Sequence, residues 1–145
     1  MDVTNKVALI TGAASGIGEG IATTLSKNGA HAIIADINLS NAENVSTKLT
    51  SLGLKSSPIT LDVTDIESVN QCVTYVLKEF KHIDILINNA GTVGSPGWES
   101  REVPNENDWD LIFEVNVKGI VKMTEAVQVS MINNRYGKII NIASI

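Results

Sequence analysis

The sequence contains one cysteine, few aromatic residues and no long hydrophobic run. Cys72 has no second cysteine with which to form a disulfide, which is typical of proteins from a reducing compartment. No apolar segment approaches the roughly 18 residues that cross a bilayer. Residues 1–6 also lack the basic and then apolar pattern of a secretory signal. We therefore expect a cytoplasmic protein with no membrane partner.

Positive charge is also scarce. The chain carries 11 Lys and Arg residues against 16 Asp and Glu, a formal net charge of −5. Because no basic stripe is available to neutralise phosphates, nucleic acid is not an expected partner. No group of Cys and His residues has the spacing of metal ligands, so no metal is predicted. No glycine-rich turn ends in Gly-Lys-Ser/Thr, which argues against a nucleoside triphosphatase.

Short apolar runs alternate with segments of helical periodicity along the whole chain. The 145 residues, 43% of them hydrophobic, suffice for one domain with a substantial core. The predicted strands are residues 7–10, 31–35, 57–61, 83–87 and 138–142, and the predicted helices are residues 17–28, 38–52, 66–80 and about 105–133. Because strands separated by helices pair in parallel through right-handed crossovers, we predict one doubly wound α/β domain over residues 1–145, with helices on both faces.

The first predicted strand runs directly into a glycine-rich turn, Thr11-Gly-Ala-Ala-Ser-Gly-Ile-Gly18, and then into a helix. Glycines let a phosphate approach the backbone, and a helix N-terminus offers free N–H groups and a positive dipole. This order of elements predicts that Gly12, Gly16 and Gly18 bind a dinucleotide pyrophosphate. The alternative is a glycine-rich connection that binds no ligand, because three glycines alone are a weak signal.

Polar residues also follow the other predicted strands. In an open parallel sheet the ligand lies at the carboxyl ends of the strands, where this chain has Asp36, Asp62, residues 88–91 and Ser144. Each of these alone is explained equally well as a helix cap or a turn residue. Their repetition after every strand favours a shared binding site.

Asp36 bears on the choice of cofactor. It follows Gly18 by 18 residues, close to the spacing at which an acidic residue binds the adenosine ribose. A carboxylate there would repel the additional phosphate of NADP, and neither Ser15 nor Ile37 supplies a positive charge to attract it. The sequence therefore predicts NAD as the cofactor, with NADP less suitable.

The long helix predicted from Asn105 or Asn107 to about Asn133 is apolar on two faces. One face carries Trp109, Ile112, Ile120, Met123 and Val127, and the other carries Phe113, Val117 and Val121. One face can cover the sheet, whereas the other needs a neighbour. The fifth predicted strand also lacks a following helix. We therefore expect the 145 residues to be part of a larger domain that is incomplete at its C-terminus.

Two further polar residues are candidates for chemistry. Asn116 is an amide among the apolar residues of the long helix, and an unpaired buried amide costs on the order of 1–3 kcal/mol, so it should have hydrogen-bond partners. Ser144 follows an apolar strand, where its hydroxyl either faces a substrate or begins a turn. The residues alone leave a structural and a catalytic role open for both.

Taken together, these motifs resemble the short-chain dehydrogenase/reductase family. The matching segments are residues 11–18, Asp62-Val63, Asn88-Asn-Ala-Gly91, Asn116 within Val115-Asn-Val-Lys-Gly119, and Ser144 within Asn141-Ile-Ala-Ser144. They follow the family's order and spacing and cover the whole chain. The resemblance implies a Rossmann-like sheet with the strand order 3-2-1-4-5. It also implies reversible hydride transfer between a nicotinamide cofactor and an alcohol or ketone.

The resemblance assigns roles to individual residues. Asp36 would hold the adenosine ribose, Asp62 and Val63 would flank the adenine, and residues 88–91 would stabilise the sheet and line the site. As catalytic residues, Asn116 would anchor a water of the proton relay and Ser144 would hydrogen-bond the substrate oxygen. The cofactor-binding residues are expected to be Gly12, Ser15, Gly16, Ile17, Gly18, Asp36, Ile37, Asp62, Val63, Asn89, Ala90 and Gly91.

The family's Tyr-x-x-x-Lys motif, which exchanges the proton, lies beyond the serine and is absent from this sequence. Tyr75 and Tyr136 precede the fourth and fifth strands and cannot replace it. The resemblance thus implies an NAD-dependent oxidoreductase for the parent protein, in the form of a homodimer or homotetramer, and negligible turnover for the 145 residues themselves. The alternative is an inactive fragment that acts as a cofactor-binding or interaction module.

Overall fold

Five parallel strands form the centre of the computed structural model, which describes residues 2–143. The strands are β1 (Val7–Thr11), β2 (His31–Asp36), β3 (Ser56–Thr60), β4 (Ile85–Asn88) and β5 (Lys138–Asn141). Their order across the sheet is β3-β2-β1-β4-β5, and every neighbouring pair is parallel. The predicted α/β class, Rossmann-like topology and strand order are confirmed. β3 and β4 begin at Ser56 and Ile85 rather than at the predicted Ser57 and Ile83.

β1 lies in the middle of the sheet and is buried along its whole length. Successive side chains of a strand point to opposite faces, so β1 contributes to two separate cores. Leu9 packs with Ile33 on one face, and Ile10 packs with Ile34 on the other. Burial on both faces explains why the central strands are continuous apolar runs.

Residues 2–143 contain five α-helices, and four of them cover the two faces of the sheet. The five helices are α1 (Gly16–Lys27), α2 (Leu39–Ser51), α3 (Ile66–Phe80), α4 (Glu106–Phe113) and α5 (Gly119–Asn133). α1 and α2 bury residues such as Ala22 and Leu49 in one core, whereas α3 and α5 bury Val69 and Met123 in the other. The prediction of helices on both faces is confirmed.

The helix ends follow from local side-chain and backbone chemistry. Asn38 and Asp65 cap α2 and α3, because their side-chain oxygens accept N–H groups of the first turn. α1 and α2 are followed by Gly29 and Gly53, with φ values of +90° and +75° that glycine adopts readily. After these ends the chain enters β2 and β3, which pair in parallel with β1 and β2, respectively.

The long helix predicted near residues 105–133 is not a uniform α-helix. Glu114–Lys118 form a π-helical segment, in which the N–H group of Gly119 donates to the carbonyl of Glu114. The wider turn rotates the residues beyond it about the helix axis. Met123 and Val127 are buried, but Trp109 is 53% exposed. The prediction that Trp109 shares their face was wrong, because the sequence was read with a constant helical period.

The second apolar face of this helix is exposed. The exposed fractions are 55% for Phe113, 49% for Val117 and 50% for Val121. They lie on the side away from the sheet, as the sequence predicted. The fold therefore leaves an apolar stripe on its surface.

Candidate functional site

A cavity of about 560 Å³ lies at the carboxyl end of the sheet. The segments that follow β1, β2, β3 and β4 meet there, and α4 and the π-helical segment close one side. The lining residues are Gly12, Ser15, Gly16, Ile17, Asp36, Ile37, Leu61, Asp62, Val63, Thr64, Asn89, Ala90, Gly91, Thr92, Leu111 and Val115. This is the position at which open parallel sheets bind their ligands.

The glycine turn contains glycines of two kinds. A Cβ at Gly12 would lie 2.8 Å from the Cα of Ala90, and a Cβ at Gly18 would lie 2.6 Å from Nδ2 of Asn89. Both glycines therefore let the turn pack against the segment after β4. Gly16 has a φ of +53°, and apart from its chain neighbours and the adjacent backbone of α1, no atom of residues 2–143 lies within 4 Å of its Cβ position. The missing side chain at Gly16 leaves room for a ligand.

The N-terminus of α1 adjoins this room. Ser15 is the N-cap in an extended conformation, and among the described residues its side chain makes no capping hydrogen bond. The first N–H groups of a helix need an acceptor, and an anion at this end also meets the positive pole of the helix dipole. The turn and helix together form a site that suits a phosphate group.

Two large apolar side chains on the cavity wall are exposed. Ile17 is 67% exposed and Ile37 is 69% exposed, although both line the cavity. Apolar side chains in a concave site gain free energy when a ligand covers them. A ligand that covered Ile17 and Ile37 would therefore be stabilised by their burial.

Thr11 and Asn89 fasten the turn to the segment after β4. The Thr11 hydroxyl accepts the N–H groups of Asn89 and Ala90 at 3.0 and 2.9 Å. Nδ2 of Asn89 donates to the carbonyls of Thr11 and Gly12, both at 3.0 Å. Four hydrogen bonds between the two segments therefore fix the floor of the cavity before any ligand binds.

Asp36 is the last residue of β2 and points its carboxylate at the turn. Oδ2 accepts the N–H group of Ala14 at 3.1 Å, and Oδ1 accepts the N–H group of Asn38 at 3.0 Å. Among the described residues, no Lys or Arg lines the cavity. The charged side chains that line the cavity, Asp36 and Asp62, are therefore both acidic.

The wall after β3 is held by side-chain hydrogen bonds. Oδ1 of Asp62 accepts the backbone N–H group and the hydroxyl of Thr64, at 2.8 and 2.7 Å. Nζ of Lys122, on α5, donates to the carbonyl of Thr64 at 2.7 Å. Val63 packs on Gly119, where a Cβ would lie 2.9 Å from its Cγ2. The position of Val63 in the cavity wall therefore depends on the start of α5.

Asn116 lies in the π-helical segment and binds the backbone of Thr92. Its Oδ1 accepts the N–H group of Thr92, and its Nδ2 donates to the carbonyl of the same residue, both at 2.8 Å. The expected partners of this amide are thus the two backbone groups of one residue. Ser144, the other predicted catalytic residue, lies outside the described residues.

The loop over residues 92–105 is tied to α4 by a buried ion pair. Asp108 is 1% exposed, and its Oδ2 accepts Nε of Arg101 at 3.0 Å. The Arg101 guanidinium and the other donors around the carboxylate hold the pKa of Asp108 well below its usual range. The sequence of residues 92–104, which include Trp98 and Arg101, is equally consistent with a pocket wall and with a surface loop. Thr92 lines the cavity, whereas Trp98 and Arg101 do not, and Arg101 is engaged by Asp108.

The structure brings most of the predicted cofactor-binding residues together. Gly18 lies beneath the turn, and the other eleven predicted residues line the cavity. Sequence reasoning missed Leu61, Thr64, Leu111 and Val115. Leu111 and Val115 reach the cavity through tertiary packing of α4 and the π-helical segment, for which the sequence carries no local signal. Asn105-x-x-Asp108, in contrast, is a capping-box pattern that the sequence does display.

Within the described part of the chain, no helix combines the length and the apolar character that crossing a bilayer requires. Nor do residues 2–143 contain a group of three or more His, Cys, Asp or Glu side chains arranged to hold a metal ion.

Comparison with known proteins identifies relatives along the whole chain. The family described as short chain dehydrogenase matches residues 6–145. A 3-oxoacyl-acyl-carrier-protein reductase of Thermotoga maritima is 36% identical over 145 residues, which are 100% of this chain and 58% of that protein. A galactitol 2-dehydrogenase of Agrobacterium fabrum is 41% identical over 99% of this chain and 54% of its own length. The chain thus spans little more than half the length of these relatives.

Solved structures with the same fold contain both nicotinamide cofactors. An NAD+-bound xylitol dehydrogenase superposes with a TM-score of 0.89 and 32% identity, over 99% of this chain and 55% of that one. A metagenomic short-chain oxidoreductase in complex with NADP also has a TM-score of 0.89, with 27% identity over 100% of this chain and 65% of that one. The fold is therefore compatible with either cofactor, and the choice depends on individual residues.

Proposed function

The chain belongs to the short-chain dehydrogenase family, and from this membership we propose that it is the NAD-binding part of an oxidoreductase. The parent protein would transfer a hydride reversibly between the nicotinamide and a small alcohol or ketone. Residues 1–145 would constitute one NAD(P)-binding domain. The observation that carries the proposal is the open space at Gly16, beside the uncapped N-terminus of α1.

The preference for NAD rests on Asp36. Its carboxylate lines the cavity beside the turn, and among residues 2–143 no cation lines the wall to balance an additional phosphate. Like charges at short range repel strongly where water is partly excluded. The ribose hydroxyls of NAD can instead donate hydrogen bonds to the carboxylate.

The other residues would bind and orient the dinucleotide. When bound, the nicotinamide supplies the site that accepts or gives the hydride. Asp62 and Val63 would flank the adenine, the N-terminus of α1 would bind the pyrophosphate, and residues 89–91 would line the path between them. Asn116 would act at the catalytic end by holding Thr92 and a relay water, and Ser144 would hydrogen-bond the substrate oxygen.

Partners and location follow from surface properties. We propose a homodimer or homotetramer for the parent protein, supported by the exposed stripe of Phe113, Val117 and Val121. The net charge of −5 supports the proposal that nucleic acid and membranes are not partners. The lone and buried Cys72 supports a cytoplasmic location.

Calorimetric titration of the chain with NADH and NADPH tests the proposal. We expect saturable one-to-one binding of NADH, and weaker binding of NADPH by at least about tenfold, a difference of about 1.4 kcal/mol. The variant Asp36→Asn keeps an oxygen for the N–H group of Ala14 but removes the charge, so it should bring the two affinities closer. Absence of NADH binding would refute the cofactor site, and equal affinities in the wild-type chain would refute the preference for NAD.

A further inference from the structure

Asp108 is a buried carboxylate outside the cavity, with an unusually complete set of donors. Its side chain accepts the N–H group and the hydroxyl of Ser95 at 2.8 and 2.7 Å. It also accepts Nε of Arg101 at 3.0 Å and the N–H group of Asn105 at 2.9 Å. These donors come from the middle and from both ends of the loop over residues 95–105. One side chain thus organises the whole loop.

The organised loop is continuous with the cavity wall. Thr92 lines the cavity, and its hydroxyl donates to the carbonyl of Gly94 at 2.9 Å. Trp98 packs tightly on Gly94, where a Cβ would lie 2.6 Å from the Cβ of Trp98. Asn116 holds the backbone of Thr92 from the other side. The position of Thr92 therefore depends on two supports, Asn116 directly and Asp108 through Ser95 and Gly94.

The strand order locates this wall relative to a bound dinucleotide. Asp36 ends β2 on one side of β1, and Thr92 comes after β4 on the opposite side. On the proposed function, adenosine lies at Asp36 and the pyrophosphate at the turn after β1. The nicotinamide riboside then lies on the side of Thr92. ADP, which ends at the pyrophosphate, does not extend that far.

We propose that Asp108 is a positioning residue for the nicotinamide half of the cofactor, acting through Ser95, Gly94 and Thr92. This inference rests on the proposed function. The hydrogen bonds that Asp108 accepts from Ser95, Arg101 and Asn105 would then help to bind the cofactor as well as hold the loop together. A network that only stabilised the loop would change the free energy of unfolding and leave the relative affinities of NADH and ADP unchanged.

The variant Asp108→Asn tests the proposal, since it keeps the size of the side chain but removes its charge and one acceptor. NADH and ADP are titrated calorimetrically into the wild-type and variant chains. We expect the affinity for NADH to fall by about tenfold, within the range of about 5-fold to 150-fold typical of coupled sites. The affinity for ADP should change by less than about twofold on the same argument.

Asp84→Asn is the matched control. Asp84 is another buried carboxylate, 7% exposed. It binds Lys6 and the N–H group of Val7 at the amino ends of the strands, away from the cavity. Its substitution should lower stability and leave the ratio of the two affinities as in the wild-type chain. Ser95→Ala, which removes a hydroxyl donor to Asp108, is a milder variant if Asp108→Asn does not fold. We expect it to lower the affinity for NADH less than Asp108→Asn does, and to leave the affinity for ADP unchanged.

The outcomes separate this proposal from the proposed function. If the wild-type chain does not bind NADH, the proposed function fails. If the wild-type chain binds NADH but the loop variants lose NADH and ADP affinity equally, or lose neither, the positioning role of Asp108 is refuted. Selective loss of NADH affinity in a loop variant, absent from Asp84→Asn, supports it.

Discussion

At the scale of single residues, the three glycines of the turn differ in what surrounds them. Gly12 and Gly18 lack side chains because protein atoms occupy the space that a Cβ would need. Gly16 lacks one although, within residues 2–143, that space is empty. The backbone φ of +53° favours glycine at position 16, and the open space beside it also suits a phosphate that approaches the backbone.

Gly16→Ala and Gly53→Ala form a matched pair that tests this distinction. Both glycines have positive φ and no described protein atom within 4 Å of the Cβ position. Alanine at such φ costs about 1–2 kcal/mol at either site, so chemical denaturation should show similar losses of stability. Calorimetry should show that only Gly16→Ala loses NADH binding. Equal NADH affinities in the two variants would contradict the role of Gly16.

The residues of the turn and Asp36 could be predicted from sequence because they are close in the chain and have characteristic spacing. Leu111 and Val115 could not, since their contribution to the cavity depends on how α4 and the π-helical segment pack. The donors around Asp108 were missed for the same reason, although Asn105-x-x-Asp108 gave a local signal for the start of α4.

At the scale of elements, the start of α5 supports the wall that would contact the adenine. The π-helical segment brings Gly119 against Val63, and Lys122 donates a hydrogen bond to the carbonyl of Thr64. The sequence showed no sign of this segment, because apolar periodicity is read with one constant number of residues per turn. The main error in the predicted helices was therefore the failure to predict this wider turn.

Gly119→Ala should displace Val63 and weaken binding of the adenine half. Because ADP and NADH share that half, we expect their affinities to fall together, by about fivefold or more. The control is Gly20→Ala, an exposed position within α1 with open space in the described structure, where alanine should stabilise the chain by about 0.5–1 kcal/mol. Titration and denaturation of both variants check this, and unchanged ADP affinity in Gly119→Ala would contradict it.

The link between α4 and its preceding loop should depend on acid pH. Arg101 and the neighbouring donors lower the pKa of Asp108 in the folded chain. In the unfolded chain the same carboxyl takes up a proton near pH 3.9, so the unfolded state binds more protons there and stability rises with pH. The contribution is complete above about pH 4 and is lost progressively as the pH falls below it. Urea denaturation at a series of pH values above and below about pH 4 should show that the free energy of unfolding depends less steeply on pH for Asp108→Asn than for the wild-type chain.

At the scale of the whole molecule, the sheet and helices leave an apolar stripe of Phe113, Val117 and Val121 on the surface. Exposed apolar patches commonly mark interaction surfaces. We expect the chain to self-associate through this stripe in analytical ultracentrifugation, and Val121→Lys to shift it toward the monomer. Leu52→Lys alters another apolar residue, 64% exposed, at the end of α2 and should not change the association. Equal sedimentation of the two variants would contradict this use of the stripe.

The central claim is that the cavity at the carboxyl end of the sheet binds NAD. Titration of the ¹⁵N-labelled chain with NADH, followed by NMR, tests this claim most directly because it reports the location of binding residue by residue. We expect saturable chemical-shift changes at the amides of Gly12, Ser15, Gly16, Ile17 and Ile37. Little change is expected near Asp84, at the amino ends of the strands. Absence of shifts, or shifts concentrated away from the glycine turn, would contradict it.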